Sequence, residues 1–166
     1  MIKDSVRDAI NAQMNREFYS ANLYLAMAGY FEDMNLKGFS AWMQVQAKEE
    51  QAHGMKFYGY LVEQCARIAI EALPAPQQEW GTPLAAFEHA LAHEQKVTGH
   101  IHDLMDLAMK ERDYATATML QWFVKEQVEE EANATENVTK LQLATAGGAT
   151  LLYVVDQELG KRGKTA

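Results

Sequence analysis

The sequence predicts an all-α fold, an antiparallel four-helix bundle with one long crossover and a short fifth helix. Two observations carry this: four segments, about 5-33, 38-66, 82-110 and 114-143, have helix-period apolar residues with few breakers, and only one of the three joints between them is long. Each segment would span roughly 40 Å at about 1.5 Å per residue. Asp4 and Ser5 precede the first segment, Asn35 to Gly38 separate the first two, Thr82-Pro83 opens the third and Asp113 the fourth. Short joints make antiparallel neighbours. The stretch from about Arg67 to Gly81, with Pro74 and Pro76, is long enough to run the length of the bundle and join two parallel helices. Gly147-Gly148 breaks the chain, and ATLLYVVDQEL (about 148-159) reads as a fifth helix whose apolar face, Leu151 to Val155, calls for burial against other subunits.

At 166 residues, 48% hydrophobic and 23% charged, the chain fits a single domain over 1-166 with a real core. No stretch has signal-peptide character or the roughly 18 apolar residues of a membrane span, so a cytoplasmic protein without membrane contact is expected. A net charge of -8 disfavours nucleic acid as a partner and suits cations. Cys65, the single cysteine, stands at helical spacing with Leu61 and Val62 and reads as a packing thiol.

The inward stripe of each helix follows from steps of three and four residues. It gives Val6, Ile10, Gln13, Glu17, Ala21, Tyr24, Ala28 and Phe31 on the first helix. The second gives Phe39, Met43, Gln46, Glu50, His53, Phe57 and Tyr60. The third gives Phe87, Ala90, Glu94, Val97, Ile101 and Leu104, and the fourth Met119, Phe123, Gln127, Glu130, Ala134 and Leu141. Every stripe carries a carboxylate close to its segment's midpoint, and midpoints coincide whichever way a helix runs. Four carboxylates at one level of an apolar core would cost several kcal/mol per ion without a positive partner, and no lysine or arginine occupies the stripes. Multivalent cations are the natural neutralising partner. Carboxylates that can bridge, plus one imidazole, suit iron or manganese better than structural zinc, and a pair of ions is plausible chemistry for the site. Glu50-x-x-His53 alone would not establish this, since such pairs are common on helix surfaces.

The segments NREFYSANLYLAMA, KEEQAHGMKFYGYL, HEQKVTGHI, LQWFVKEQVEEE and LLYVVDQEL resemble bacterial non-haem ferritins along essentially the whole chain. The resemblance implies a ferritin-like bundle that is a ferroxidase: Fe(II) is oxidised with O2 or hydrogen peroxide and stored as ferric mineral in a homo-oligomeric cage of twenty-four subunits, with the fifth helix at the fourfold contacts. It assigns Glu17, Glu50 and His53 to one iron, with Glu50 bridging, and Glu94 and Glu130 to the second, with Gln127 beside it. Where symmetric di-iron proteins place a second Glu-x-x-His, this chain has Gln127-x-x-Glu130, which weakens the second site and fits iron in transit. A third iron site is implied at Glu49, Glu126, Glu129 and Glu130. The resemblance also makes Tyr24 and Trp122 candidate electron donors, with hydrogen bonding the favoured role for Tyr24.

Bacterioferritins bind haem through an interface methionine; Ala52 stands at that position, away from Met43 and Met55, so no haem is expected. His89 and His93 lie off the third stripe and read as exposed. Residues 114-124 contain no carboxylate, unlike the acidic pore stretch of animal ferritins, which leaves the iron entry route open. A rubrerythrin-like di-iron peroxidase is an alternative, opposed by the missing cysteine-rich module. A DNA-protecting mini-ferritin is another, opposed by the sparse basic tail GKRGKTA.

Overall fold

The computed structural model describes residues 2-162; Met1 and the last four residues of the GKRGKTA tail lie outside them, as do those ends of the expected 1-166 domain. Five helices are present: α1 (Asp4–Asp33), α2 (Lys37–Glu63), α3 (Pro83–Lys110), α4 (Tyr114–Gly147) and α5 (Ala149–Leu159). None is long and apolar enough to cross a membrane.

Local chemistry explains most boundaries. Thr82 caps α3 by accepting from the Ala85 N–H at 3.1 Å, with Pro83 preset for the first turn. Asp113 caps α4 through the Thr116 N–H at 3.1 Å. At α1 the expected caps do not operate: Asp4 and Ser5 are already helical, and the Lys3 position contributes no side-chain cap. α4 continues to Gly147 rather than stopping near 143, because nothing breaks it before Gly148, whose φ of 88° ends the helix and starts α5.

α1 packs along α2, and α3 along α4. Direction follows from the core, which forms two apolar clusters. Phe31, Phe39, Phe87 and Leu141 belong to one; Ile10, Phe57, Ile101 and Phe123 to the other. α2 and α3 both run from the first cluster to the second, whereas α1 and α4 run back, so the crossover 64-82 joins two parallel helices. It travels along α1: Asn11 donates to the Arg67 carbonyl and accepts from the Ala69 N–H, Asn15 binds Ala69 and Glu71, and Trp80 packs on Tyr30 at the far end. Buried asparagines thus satisfy the backbone of an otherwise structureless strap.

Three expectations need correction. Cys65 is exposed, in a left-handed turn just past the end of α2, so it does no packing. Met119 is only half-buried, since Thr116, Ala117 and Leu120 take the inward positions. Thr116 holds its place by bonding Tyr60 Oη at 2.7 Å and Asp113 at 2.8 Å. The third concerns His89 and His93, which are half-buried rather than exposed. Trp80 donates to His89 Nδ1 at 2.6 Å, and His93 Nε2 lies 2.8 Å from Ser20 Oγ. Trp80, brought by the crossover, and the small Ser20 on α1 create a groove that the α3 sequence alone does not reveal.

α5 lies against α2 and α4. Its buried Asp156 accepts from the Phe39 N–H at 2.8 Å, placing a carboxylate at the amino end of α2 where free N–H groups point. Gly38 permits this approach, because a Cβ there would sit 1.7 Å from the Asp156 carbonyl oxygen. Gly38→Ala is therefore expected to loosen α5, destabilising the fold by about 1–3 kcal/mol, readable as faster proteolysis at Gly148 and a lower melting temperature. Leu151, Tyr153 and Val154 remain exposed on α5.

Candidate metal centre

Between the two apolar clusters every bundle helix presents polar side chains inward: Glu17 on α1, Glu50 and His53 on α2, Glu94 on α3, Gln127 and Glu130 on α4. All six are buried. Glu17, Glu50 and His53 each offer a ligand atom within 4.8 Å of the others. A second such group joins His53 to Glu126 and Glu130. His53 therefore lies with Glu17 and Glu50, as the resemblance assigns it, and also within reach of Glu126 and Glu130 of the implied third site. The His53 Nδ1 atom stands 3.7 Å from Glu50 Oε2.

Glu94 belongs to neither group of three; its carboxylate accepts from Tyr24 Oη and, at 3.3 Å, from Gln127 Nε2. Gln127 Nε2 also reaches the Glu94 carbonyl and Thr98 Oγ1, both at 3.3 Å. The amide thus holds a carboxylate, and Tyr24 takes the hydrogen-bonding role. Trp122 stands edge-on to His53 with ring centroids 5.4 Å apart, and Lys56 Nζ lies 4.0 Å from its ring. Of the third-site residues, Glu126 and Glu130 are brought together, while Glu49 binds Arg162 and the exposed Glu129 lies 4.0 Å from Lys125.

Two further residues serve the centre. Gln13 Nε2 donates to Glu17 at 2.8 Å, and Gln46 Nε2 donates to Glu130 at 2.7 Å and to Glu50 at 3.3 Å. Each precedes its glutamate by four residues on the same stripe, a spacing visible in the sequence. Each amide oxygen accepts from an arginine, Arg16 at 3.2 Å for Gln13 and Arg162 at 2.7 Å for Gln46. Arg162 left no signal in the sequence, being 116 residues from Gln46.

Burial pushes the Glu17 carboxyl well above the usual range, and neighbouring Glu50 adds to the effect. Glu50 is likewise raised well above it by burial and by Glu94 and Glu130. Glu94 is raised by burial, and Glu130 is pushed up to about 7 by burial and then by Glu94. Among the described residues, no lysine or arginine pairs with Glu17, Glu50, Glu94 or Glu130. Glu17 Oε2 is buried with no hydrogen-bond partner at all. Hard carboxylate oxygens around one imidazole, with no lysine or arginine to compensate them, fit divalent cations that accept carboxylate and histidine ligands, such as Fe(II).

Residues 7–144 match the Ferritin family, described as a ferritin-like domain. The chain belongs to the ferritin family. It is 41% identical to a "Bacterial non-heme ferritin" of Staphylococcus saprophyticus, over 98% of this chain and 96% of that protein. A protein of the same name from Bacteroides fragilis is 38% identical, over 98% of this chain and all of that one. Among solved structures, the open-pore ferritin of the archaeon Archaeoglobus fulgidus is 48% identical, covers 98% of this chain and 99% of its own, and superposes with a TM-score of 0.96. An engineered closed form of the Archaeoglobus ferritin gives 0.95 at the same identity. The chain is an iron-storage ferritin, all-α, with a candidate iron site at Glu17, Glu50 and His53.

Proposed function

We propose that this ferritin oxidises the iron it stores, with Glu17, Glu50, His53, Glu94 and Glu130 holding two Fe(II) ions. The observation that carries the reading is the buried carboxylate layer without a cation, including the unpartnered Glu17 Oε2. Fe(II) is substrate here. Anionic oxygen ligands stabilise Fe(III) more than Fe(II), which favours oxidation. Two Fe(II) give one electron each to O2, which takes two protons and leaves as hydrogen peroxide. Burial and neighbouring carboxylates raise the proton affinity of Glu17 and Glu50, so an arriving ion competes with protons for the same oxygens. Trp122, edge-on to His53 and open to solvent, is the proposed electron donor during oxygen reduction, supported by that ring contact.

Stopped-flow mixing of Fe(II) with aerated protein tests this. A fast oxidation phase is expected, and His53→Ala should remove it with helix content intact; an unchanged rate would take His53 out of the mechanism.

The centre is unequal. One half has Glu17, Glu50 and His53 converging, while in the other Glu94 joins neither convergent group and is held by Tyr24 and Gln127. Gln127 donates to Glu94 and so is no strong metal donor in this arrangement. Gln127→His is expected to slow loss of iron from the centre about tenfold by adding an imidazole ligand. Washout after a single oxidative turnover checks it, and equal or faster loss contradicts the asymmetry.

Storage requires an enclosed volume, which the proposal assigns to a homo-oligomeric cage of the non-haem kind. The exposed Leu151, Tyr153 and Val154 on α5 support assembly through that helix. A cytoplasmic location follows from the reducing environment in which Fe(II) is available.

A further inference from the structure

The chain beyond α5 returns to the metal centre. Arg162, in the turn after Leu159, lies with its guanidinium carbon 4.4 Å from the centroid of the Trp42 ring. One guanidinium nitrogen donates to Gln46 Oε1 at 2.7 Å, and the other donates to Glu49 Oε2. A planar fork thus ties one residue of the implied third site to the amide that holds Glu130 and Glu50. While Gln46 Oε1 accepts from Arg162, its amide nitrogen must face the carboxylates. Beside the guanidinium is a cavity of about 280 Å³ lined by Arg162 together with Trp42, Glu136 and Glu158. A displaced arginine would find space there beside Glu136 and Glu158, whose two negative charges are only half balanced by the Lys140 that bridges them.

We propose that Arg162 is a tethered counter-cation at the third metal site: it occupies Glu49 and orients Gln46 until an arriving metal ion displaces it into that cavity. This rests on reading Glu49, Glu126, Glu129 and Glu130 as ligands. Arg162 holds Glu49 Oε2 and its positive charge opposes a cation at the remaining oxygen, so ion and arginine compete. Displacement frees the Gln46 amide, and Glu130, common to the second iron and the third site, then loses its fixed donor. Arrival of an ion at the third site therefore loosens the second iron, which turns an exit path into a coupled step. α5, the helix with the exposed apolar residues, is the tether.

Isothermal titration of the metal-free, full-length assembly with Zn(II), which has no redox chemistry, tests the competition. Arg162→Ala is expected to tighten the Glu49-dependent class of sites about tenfold, the scale of one lost charge-assisted bond. Arg162→Lys should stay near the wild type, because the charge is kept. Arg162→Gln, which retains packing and hydrogen bonding but not charge, should tighten like alanine and covers the case in which alanine disturbs folding. Glu49→Gln should abolish the class in both the wild-type and the Arg162→Gln backgrounds. A Glu49-dependent class whose affinity is unchanged or weaker in Arg162→Gln overturns the role of Arg162 alone. If Glu49→Gln alters no Zn(II) binding in either background, the third site itself is refuted, and the proposal with it.

Discussion

Replacing Glu50 by alanine is expected to abolish the fast phase of Fe(II) oxidation while leaving the metal-free protein as stable as before, or more so. Glu50 is the carboxylate on which the rest of the layer bears: it stands within ligand distance of Glu17 and His53, and Glu94 and Glu130 both raise its proton affinity. On the proposed ferroxidase reading Glu50 is the carboxylate that two Fe(II) ions would share, so without it the rate of paired oxidation should fall by about a hundredfold or more. Stability should move the other way, because a buried carboxyl among like neighbours is a liability without cations. Stopped-flow absorbance and thermal unfolding at pH 7.5, run on the same sample, check both halves. A variant that unfolds easily and also loses activity would mean Glu50 is structural.

The metal-free protein is expected to lose stability as pH rises, and metal loading should reverse that slope. Glu130 has a folded value of about 7 against the ordinary carboxyl value of 4.5, so the folded state holds its proton more tightly than the unfolded chain. That contribution, about 3 kcal/mol for such a shift, is fully present below about pH 4.5 and lost as pH climbs to about 7. The raised values of Glu17, Glu50 and Glu94 act in the same direction. His93 opposes them: burial, and then repulsion from His89, Lys96 and His100, lowers it to about 4, so its neutral form favours folding above 6.5 and that stability is lost as pH falls through 4. His89 and His100 are lowered too, first by burial, but both rings are partly open to solvent and the four buried carboxyls outweigh the three imidazoles, so the net slope is downward. With a divalent ion at about a hundred times its dissociation constant, each site adds about 2.7 kcal/mol, and more at higher pH, where ions no longer compete with protons. Melting temperatures from pH 5 to 8, with and without Zn(II), should diverge as pH increases; parallel curves would mean the carboxylates do not bind the ion. Glu130→Gln should flatten the metal-free slope.

Most of the centre was legible in the sequence because helical geometry is rigid. Glu17, Glu50, His53, Glu94 and Glu130 sit on stripes that repeat every three or four residues, and their places near the middle of long helices put them at one level. Gln13 and Gln46 lay on those stripes too, but without the structure an amide four residues before a glutamate reads as ordinary core. The misread residues depend on non-local contacts instead. His89 and His93 are covered by Trp80 and Ser20, which come from other elements, so the α3 pattern could not show their burial. Cys65 fell where α2 had already ended, and a left-handed turn there follows no periodicity. Arg162 reaches Gln46 only because Asp156 docks α5 over Gly38, a contact set by backbone approach rather than residue type.

The central claim is that iron passes through the carboxylate layer into storage. Aerobic addition of Fe(II) in large excess to the purified, metal-free protein, followed by separation from free iron and a count of iron per chain, tests it most directly. Oxidation at the centre followed by storage predicts far more retained ferric iron than the pair of ions the carboxylates can coordinate, with uptake slowed in Glu50→Ala. Retention of only that pair would make the centre a fixed cofactor and contradict the account.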